Sequence, residues 1–233
     1  MKGPRTRVAP APSNLSEPRR PRFRRQLPEQ RRAALVAATI ECLKRYGHEG
    51  LSIRTISAQA GVSVGLINHH FPNKDELVAA AFSHFNRELV DTLRSAAARA
   101  GTPAARLRAF LEASFSPPNL DADVLTVWVV FWGMYRHSRP IQRVQRETYT
   151  DYLRLVRGLL ADLLGKGAEG GRGRAKGGGV NLRLAAIGLT ALLDGLWLEW
   201  CLEPGKFRPR EAVALCEGWV EALCRRPGGW NSG

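Results

Sequence analysis

The sequence predicts an all-α protein, in which a small N-terminal domain of short helices precedes a larger helical body. Apolar residues recur at intervals of three and four in the periodic segments between residues 31 and 225, and we find no convincing strand. Residues that cap or break helices, chiefly Ser, Thr, Asn, Pro and Gly, lie between these segments. The chain has 233 residues, 44% of them hydrophobic, which is enough for one or two domains with a proper core.

Two helices are predicted before a tight turn. The first covers residues 31–46, and one face of it carries Val36, Ile40 and Leu43. The second is short, with Ser52 placed to cap it. Its buried stripe consists of Ile53, Ile56 and Ala60. Gly61 follows and can take the positive φ that ends a helix and starts a turn.

A third short helix follows this turn, with Ser63 placed to cap it. Ile67 and Phe71 face inward, so Gly65, Asn68 and His69 fall on the outer side. This outer face is small and polar, as close approach to base edges requires. Two short helices that cross at a glycine turn form a helix-turn-helix, over residues 52–71, and present the second helix to a DNA major groove.

A long fourth helix is predicted to leave this unit. Pro72 ends the helix before it, and Asn73 and Glu76 have the spacing of a capping box. Its core positions are Leu77, Ala81, Phe85 and Leu89.

Residues 29–89 resemble the N-terminal domain of TetR-type repressors. The matching features are an alanine-rich first helix, the GVS-x-G turn at 61–65, a histidine and Phe71 near the end of the third helix, and then Pro72, Lys74 and Leu77. The resemblance implies that Arg54, Thr55 and Lys74 contact backbone phosphates. It places Val64, Gly65, Asn68, His69 and His70 along the groove. The sequence departs from the usual aromatic residue at Asn68 and at His70.

Several of these residues have an alternative structural explanation. Ser63 fits a helix cap better than a base-reading residue. Arg54 and Lys74 would be ordinary solvated charges without the family pattern. Gly61 to Gly65 also fits the G-x-S-x-G pattern of hydrolases, but that chemistry needs a strand before the serine, and the preceding segment is helical.

The body, residues 90–225, is predicted to contain five helices. Their expected positions are 102–115, 121–136, 140–164, 181–202 and 209–225. The last two read as an interaction surface, and family members dimerise through the equivalent helices. The residues expected there are Ala185, Gly188, Gly195, Val213, Cys216, Trp219, Val220 and Leu223. The alternative, that part of each stripe is internal core, stays open.

The body also resembles the BetI-type subgroup, whose members repress glycine-betaine synthesis genes and are relieved by choline. The matching segments are VWVVFWGMYRHSRPIQRVQ in mid-domain and LTALLDGLWLEWCL near the end. A quaternary ammonium is recognised through aromatic faces and sometimes a carboxylate. The residues with suitable chemistry are Trp128, Trp132, Tyr135, Asp194 and Trp197. Tryptophans at helical spacing are also common in cores.

The net charge of +14 is concentrated in residues 1–32 and, to a smaller extent, in the glycine-rich stretch 165–180. Residues 1–32 hold ten basic side chains against two acidic ones, and residues 1–28 are expected to be a disordered basic arm. Five arginines just before the first helix, Arg19, Arg20, Arg22, Arg24 and Arg25, either add DNA contacts or are simply solvated. A flexible glycine-rich loop is predicted at 165–180 and a tail at 226–233.

The remaining signals exclude several classes of protein. Cys42, Cys201, Cys216 and Cys224 have no metal-site spacing and are expected to be buried thiols. No signal peptide is recognised and no apolar run approaches membrane-spanning length, so a cytoplasmic protein is expected. His84 and His137 have no partners at motif spacing, and we therefore expect neither an enzyme nor a cofactor or metal site.

The sequence thus favours a dimeric repressor that binds a palindromic operator and is released by a small-molecule inducer, with choline or another quaternary ammonium compound as the candidate. Half-sites would lie about 34–36 Å apart. The alternatives are a constitutive or architectural DNA-binding protein without an inducer, and a TetR-type repressor of another pathway with an apolar inducer.

Overall fold

The computed structural model describes residues 27–165 and 180–225, which form nine α-helices without a strand. This confirms the all-α prediction. The helices are α1 (Pro28–Tyr46), α2 (Ile53–Ala60), α3 (Val64–His70), α4 (Lys74–Ala98), α5 (Pro103–Ser114), α6 (Ala122–Tyr135), α7 (Arg139–Leu164), α8 (Leu182–Leu202) and α9 (Pro209–Arg225). The basic arm up to residue 26, residues 166–179 of the glycine-rich loop and the tail lie outside the described residues, so the expectations for them stay predictions.

Side-chain caps fix the ends of the short helices. The Ser52 hydroxyl accepts a hydrogen bond from the Thr55 N–H at 3.1 Å, and Thr55 Oγ1 accepts one from the Ser52 N–H at 2.8 Å, a complete capping box. Gly61 adopts φ 63°, ψ 35°, a left-handed conformation that strains any residue with a Cβ. The Ser63 hydroxyl caps α3 by accepting from the Leu66 N–H at 3.2 Å.

At the start of α4 only half of the expected capping box forms. Asn73 Oδ1 accepts from the Glu76 N–H at 2.9 Å. The Glu76 carboxylate does not return the contact, because it pairs instead with the guanidinium of Arg143 on α7, at 3.0 Å.

The buried residues form two clusters joined by α4. The first combines the α1–α4 core with residues of α6 and the start of α7, including Phe82, Val127, Phe131 and Ile141. The second combines the end of α4 with α5, α7, α8 and α9. α6 of the body therefore shares a core with the N-terminal helices.

The apolar stripe predicted for the surface of α9 is instead internal. Val213, Cys216, Val220 and Leu223 are buried in the second cluster. Trp219 is half-buried against α8, where a Cβ on Gly188 would come within 2.8 Å of its ring. The close approach that Gly188 allows is therefore within the chain. The large apolar side chains that α8 and α9 leave exposed are Ile187, Leu202 and Leu215.

Two further expectations need correction. Cys42 and Cys216 are buried, but Cys201 is half-buried and Cys224 is exposed. By length and composition α8 is apolar enough to cross a membrane, although one face of it packs into the second core cluster. A core helix passes the same test.

Candidate nucleic-acid interface and ligand cavity

Three buried apolar side chains anchor the helix-turn-helix in the first core cluster. Ile56 of α2, together with Ile67 of α3 and Phe71 just after it, is at most 1% exposed. Arg32 of α1 holds the end of α3: its guanidinium donates to the His70 carbonyl at 2.9 Å and lies 4.0 Å from the centre of the Phe71 ring. The orientation of α3 is thus fixed by α1 as well as by the turn.

The opposite face of α3 is open to solvent. Its exposed residues are Ser63, Val64, Gly65, Asn68 and His69, and Arg54 is exposed on α2. His70 is half-buried, with its ring edge-on to that of His69 at 5.2 Å. The face predicted to enter a major groove is therefore accessible.

Three of the polar residues assigned to DNA already have partners within the chain. The Thr55 hydroxyl belongs to the capping box and also donates to the Gly50 carbonyl at 2.9 Å. The Ser63 hydroxyl caps α3, and Lys74 Nζ lies 3.5 Å from the Leu51 carbonyl. Arg54, Asn68 and His69 are exposed and have no side-chain hydrogen bond to described residues.

Gly65 has no steric role inside the fold. A Cβ placed there would meet only the Ser63 hydroxyl, at 3.9 Å. Its φ is also not left-handed. Neither packing among the described residues nor backbone conformation therefore requires glycine at this position.

A cavity of about 450 Å³ lies between α1, α4, α6, α7 and α8, and the end of α5 with the segment after it closes one side. Its walls are mainly apolar and aromatic. Among the lining residues are Phe85, Trp128, Trp132, Tyr149, Tyr152 and Trp197. This volume is within the range of small-molecule sites.

Aromatic contacts hold the cavity wall in place. The Trp128 ring is edge-on to Phe82 at 5.7 Å and to Phe85 at 5.8 Å, both on α4. Trp132 lies 5.8 Å from Trp128. On α8, Trp197 donates its indole N–H to the Asn119 carbonyl at 3.0 Å, which fixes the orientation of its ring.

Asp194 contributes a carboxylate to the cavity. It forms no hydrogen bond or ion pair with any residue in 27–165 or 180–225. Water reaches it from the cavity, but the surrounding protein atoms desolvate the carboxyl and raise its pKa to about 6. Burial, and next the nearby charge of Asp194, raise the pKa of Tyr149 and of Tyr152. An anion without a counter-ion thus lies among aromatic rings.

Four of the five residues predicted to bind a ligand line this cavity: Trp128, Trp132, Asp194 and Trp197. Tyr135 does not. It is the last residue of α6, beyond the end of the cavity, and its side chain is 39% exposed. Helical spacing places Tyr135 on the same face of α6 as Trp128, but too far along the helix axis to line the cavity.

Several lining residues are not predicted from the sequence. Tyr149 and Tyr152 come from α7, and Asn119 from the segment before α6. Tyr149 and Tyr152 carry an i, i+3 aromatic signal, but only tertiary contacts place α7 against α8. Among the described residues no cluster of His, Cys, Asp and Glu could hold a metal ion.

Comparisons with known proteins agree along the chain. The family model described as "Bacterial regulatory proteins, tetR family" matches residues 35–81, and that of the "BetI-type transcriptional repressor, C-terminal" matches residues 103–225. The HTH-type transcriptional regulator BetI of Burkholderia thailandensis is 33% identical over 84% of this chain and 94% of its own length.

Solved structures give the same result. A transcriptional regulator from Pseudomonas aeruginosa PAO1 is 45% identical, with a TM-score of 0.77 over 88% of this chain and 95% of its own. A regulator from Saccharomonospora viridis, solved in complex with choline, has a TM-score of 0.66 over 83% of this chain and 96% of its own. At 18% identity the second likeness shows the fold alone.

Proposed function

Since this chain belongs to the TetR family of bacterial transcriptional regulators and carries a BetI-type C-terminal domain, we propose that it is a dimeric repressor that leaves its operator when a quaternary ammonium compound such as choline fills the cavity. Residues 29–89 would bind DNA, and residues 90–225 would bind the ligand and the second subunit. In this role it acts in the cytoplasm and is a regulator, not an enzyme.

The observation that carries the ligand proposal is the unpaired carboxylate of Asp194 among aromatic rings. A quaternary ammonium has no N–H to donate, so it gains most from aromatic faces and a nearby anion. Trp128, Trp132 and Trp197 supply the faces and Asp194 the anion. The choline in the S. viridis structure belongs to that protein, but it makes choline the first compound to test.

Titration of the full chain with choline tests this proposal. Tryptophan fluorescence reports binding, and the anisotropy of a labelled operator reports release. We expect both signals to change together and Asp194→Asn to weaken binding at least tenfold. Asp151→Asn, a carboxylate on the exposed side of α7, is the matched control and should bind choline as the parent does. No response at millimolar choline would reject the ligand.

Misfolding would not explain a loss of binding in Asp194→Asn. The raised pKa means that the ionised carboxylate is less stable in the folded protein than in water. Its removal should leave the melting temperature at pH 7.5 unchanged or higher. A lower melting temperature would contradict this explanation.

On the DNA side, Arg54, Asn68 and His69 are the side chains best placed to bind an operator, because they are exposed and not already hydrogen-bonded. Val64 and Gly65 would pack close to the groove, with Thr55, Ser63, His70 and Lys74 nearer its edges. A palindromic operator needs two copies of α3 about 34–36 Å apart, hence a dimer.

The dimer would use the faces of α8 and α9 that remain exposed. Ile187 and Leu215 are large apolar side chains that remain 38% and 55% exposed. A double variant, Ile187→Glu with Leu215→Glu, should halve the mass measured by light scattering. Ala34→Glu, at an exposed position of α1, is the control and should leave the mass unchanged. A dimer that survives the double variant would refute this interface.

The rival inducer is an apolar compound, which the mainly apolar walls favour. It would bind without the help of Asp194, so Asp194→Asn would leave its affinity unchanged or raise it. A constitutive DNA-binding protein would respond to neither class of compound.

A further inference from the structure

The cavity reaches well beyond the residues that surround Asp194. At its other end it is lined by α1, through Ala37, Ile40, Glu41 and Lys44. α6 connects the two ends, because it packs against α1 on one side and α8 on the other. A ligand bound at Asp194 therefore has open space in front of it that leads to the N-terminal domain.

A small ammonium compound would leave much of this space empty. Choline has seven non-hydrogen atoms, and at roughly 30 Å³ per such atom, the share of a water molecule in the liquid, it fills about 200 Å³. The cavity of about 450 Å³ is more than twice as large.

The charged groups at the α1 end are already paired. Lys44 Nζ lies 3.1 Å from Glu41, and His84 Nε2 lies 3.1 Å from Glu88. Among the described lining residues, Asp194 is then the acid that has no partner. A second positive charge on the ligand would have to compete with Lys44 and His84 for the carboxylates at this end.

Much of the remaining lining is apolar, and Asn86, Thr92 and Gln145 add polar atoms to it. Phe85 and Leu89 of α4 form its apolar part together with Trp128 and Trp132 of α6. A ligand methylene group that replaces water against such walls makes binding more favourable, and each buried methylene can raise the affinity up to about fourfold.

We propose that the cavity takes an elongated amphipathic cation, with its ammonium group at Asp194 and an unbranched apolar tail that runs along Trp128 and Trp132 to Ala37, between α1 and α4. The position of the ammonium group rests on the proposed function. The tail is the new element. It would contact α1 and so touch the DNA-binding domain directly.

A series of alkyltrimethylammonium ions tests the tail. Tetramethylammonium and its butyl, hexyl and octyl analogues are titrated against the full chain at pH 8 by calorimetry, below their micellar concentrations. Affinity should rise about two- to fourfold per added methylene. A flat or falling series would overturn the tail site, while the proposed function would stand if the methyl compound still binds.

The same series, repeated with Asp194→Asn, tests the position of the ammonium group separately from that of the tail. If the variant binds every member more weakly by the same factor, the ammonium group lies at Asp194 as proposed. If the variant binds every member as the parent does, the proposed function fails, and the tail site fails with it. A bis-quaternary ion that binds more tightly than the octyl compound would overturn the apolar tail in favour of a second charge site.

Ala37→Phe tests where the tail ends. Ala37 is exposed on α1 and lines the cavity, so a larger side chain narrows the α1 end without disturbing the core. The ratio of octyl to tetramethyl affinity should fall at least fivefold. Ala34→Phe, equally exposed on α1 but outside the cavity, should leave the ratio unchanged.

Should Ala37→Phe fold poorly, Ala37→Leu narrows the same space with a better helix former. Equal ratios in the Ala37 and Ala34 variants would place the tail elsewhere and overturn the inference.

Discussion

The α3 face and the cavity are built in opposite ways. The face comes from one short segment, residues 52–71, whose helix ends are fixed by its own side chains, as Ser52 and Ser63 show. The cavity is assembled from six helices and the segment between α5 and α6, with lining residues from Ala37 to Trp197. The difference shows why a single substitution should act locally at the face, whereas the cavity depends on how distant helices pack.

The largest effect is expected from Gly65→Leu. The fold has room for the side chain, but it would project towards the DNA. If each half-site loses about as much as a mismatched base pair, about 1–3 kcal/mol, operator affinity should fall at least about thirtyfold in the dimer, which has two half-sites. Fluorescence anisotropy with a labelled operator measures this change.

Gly158→Leu on α7 is the control for that substitution. Gly158 is also exposed, with open space around it, so both variants should melt no lower than the parent. Parent-like operator binding by Gly65→Leu would show that α3 does not approach the groove closely.

Trp132→Leu should have the next largest effect. Trp132 is 42% exposed and lines the cavity, so its loss removes an aromatic face with little change to the core. Choline affinity should fall about two- to thirtyfold, the range of one cation–π contact. Tyr135→Leu on the same helix is the control, because Tyr135 is similarly exposed but lies outside the cavity. If the two variants lose affinity equally, choline does not bind in this cavity.

The smallest effect is the pH dependence of choline binding. The carboxyl of Asp194 has a pKa of about 6, above its ordinary value of 3.8, so it gains a proton as the pH falls through 6. Binding needs the ionised form, and affinity should therefore drop about fourfold between pH 7.5 and pH 5.5.

A histidine, His84, also lines the cavity, so a control must separate its contribution from that of Asp194. The pH dependence should persist in His84→Gln and disappear in Asp194→Asn. The opposite result would transfer the effect to His84.

Local signals made the N-terminal domain predictable from sequence. The caps at Ser52, Ser63 and Asn73 and the turn at Gly61 are each set by residues a few positions away. The one departure there, the half-formed capping box at Glu76, comes from a distant partner, Arg143.

The cavity could be predicted only in part, because its lining residues come from segments that are distant in sequence. Trp128, Trp132 and Trp197 stood out by residue type, but Tyr149 and Tyr152 enter through the packing of α7 against α8, which periodicity does not contain. The stripe on α9 was recognised as apolar, but periodicity cannot tell an internal surface from an interface between subunits.

We propose that a ligand in the cavity and an operator at α3 weaken each other's binding to the same protein. Calorimetric titration of choline into the free protein, and into its operator complex, measures this opposition. We expect choline to bind the complex more weakly, by the factor by which saturating choline weakens operator binding, since this coupling is reciprocal. Equal affinity of choline for the free and the DNA-bound protein would contradict the claim.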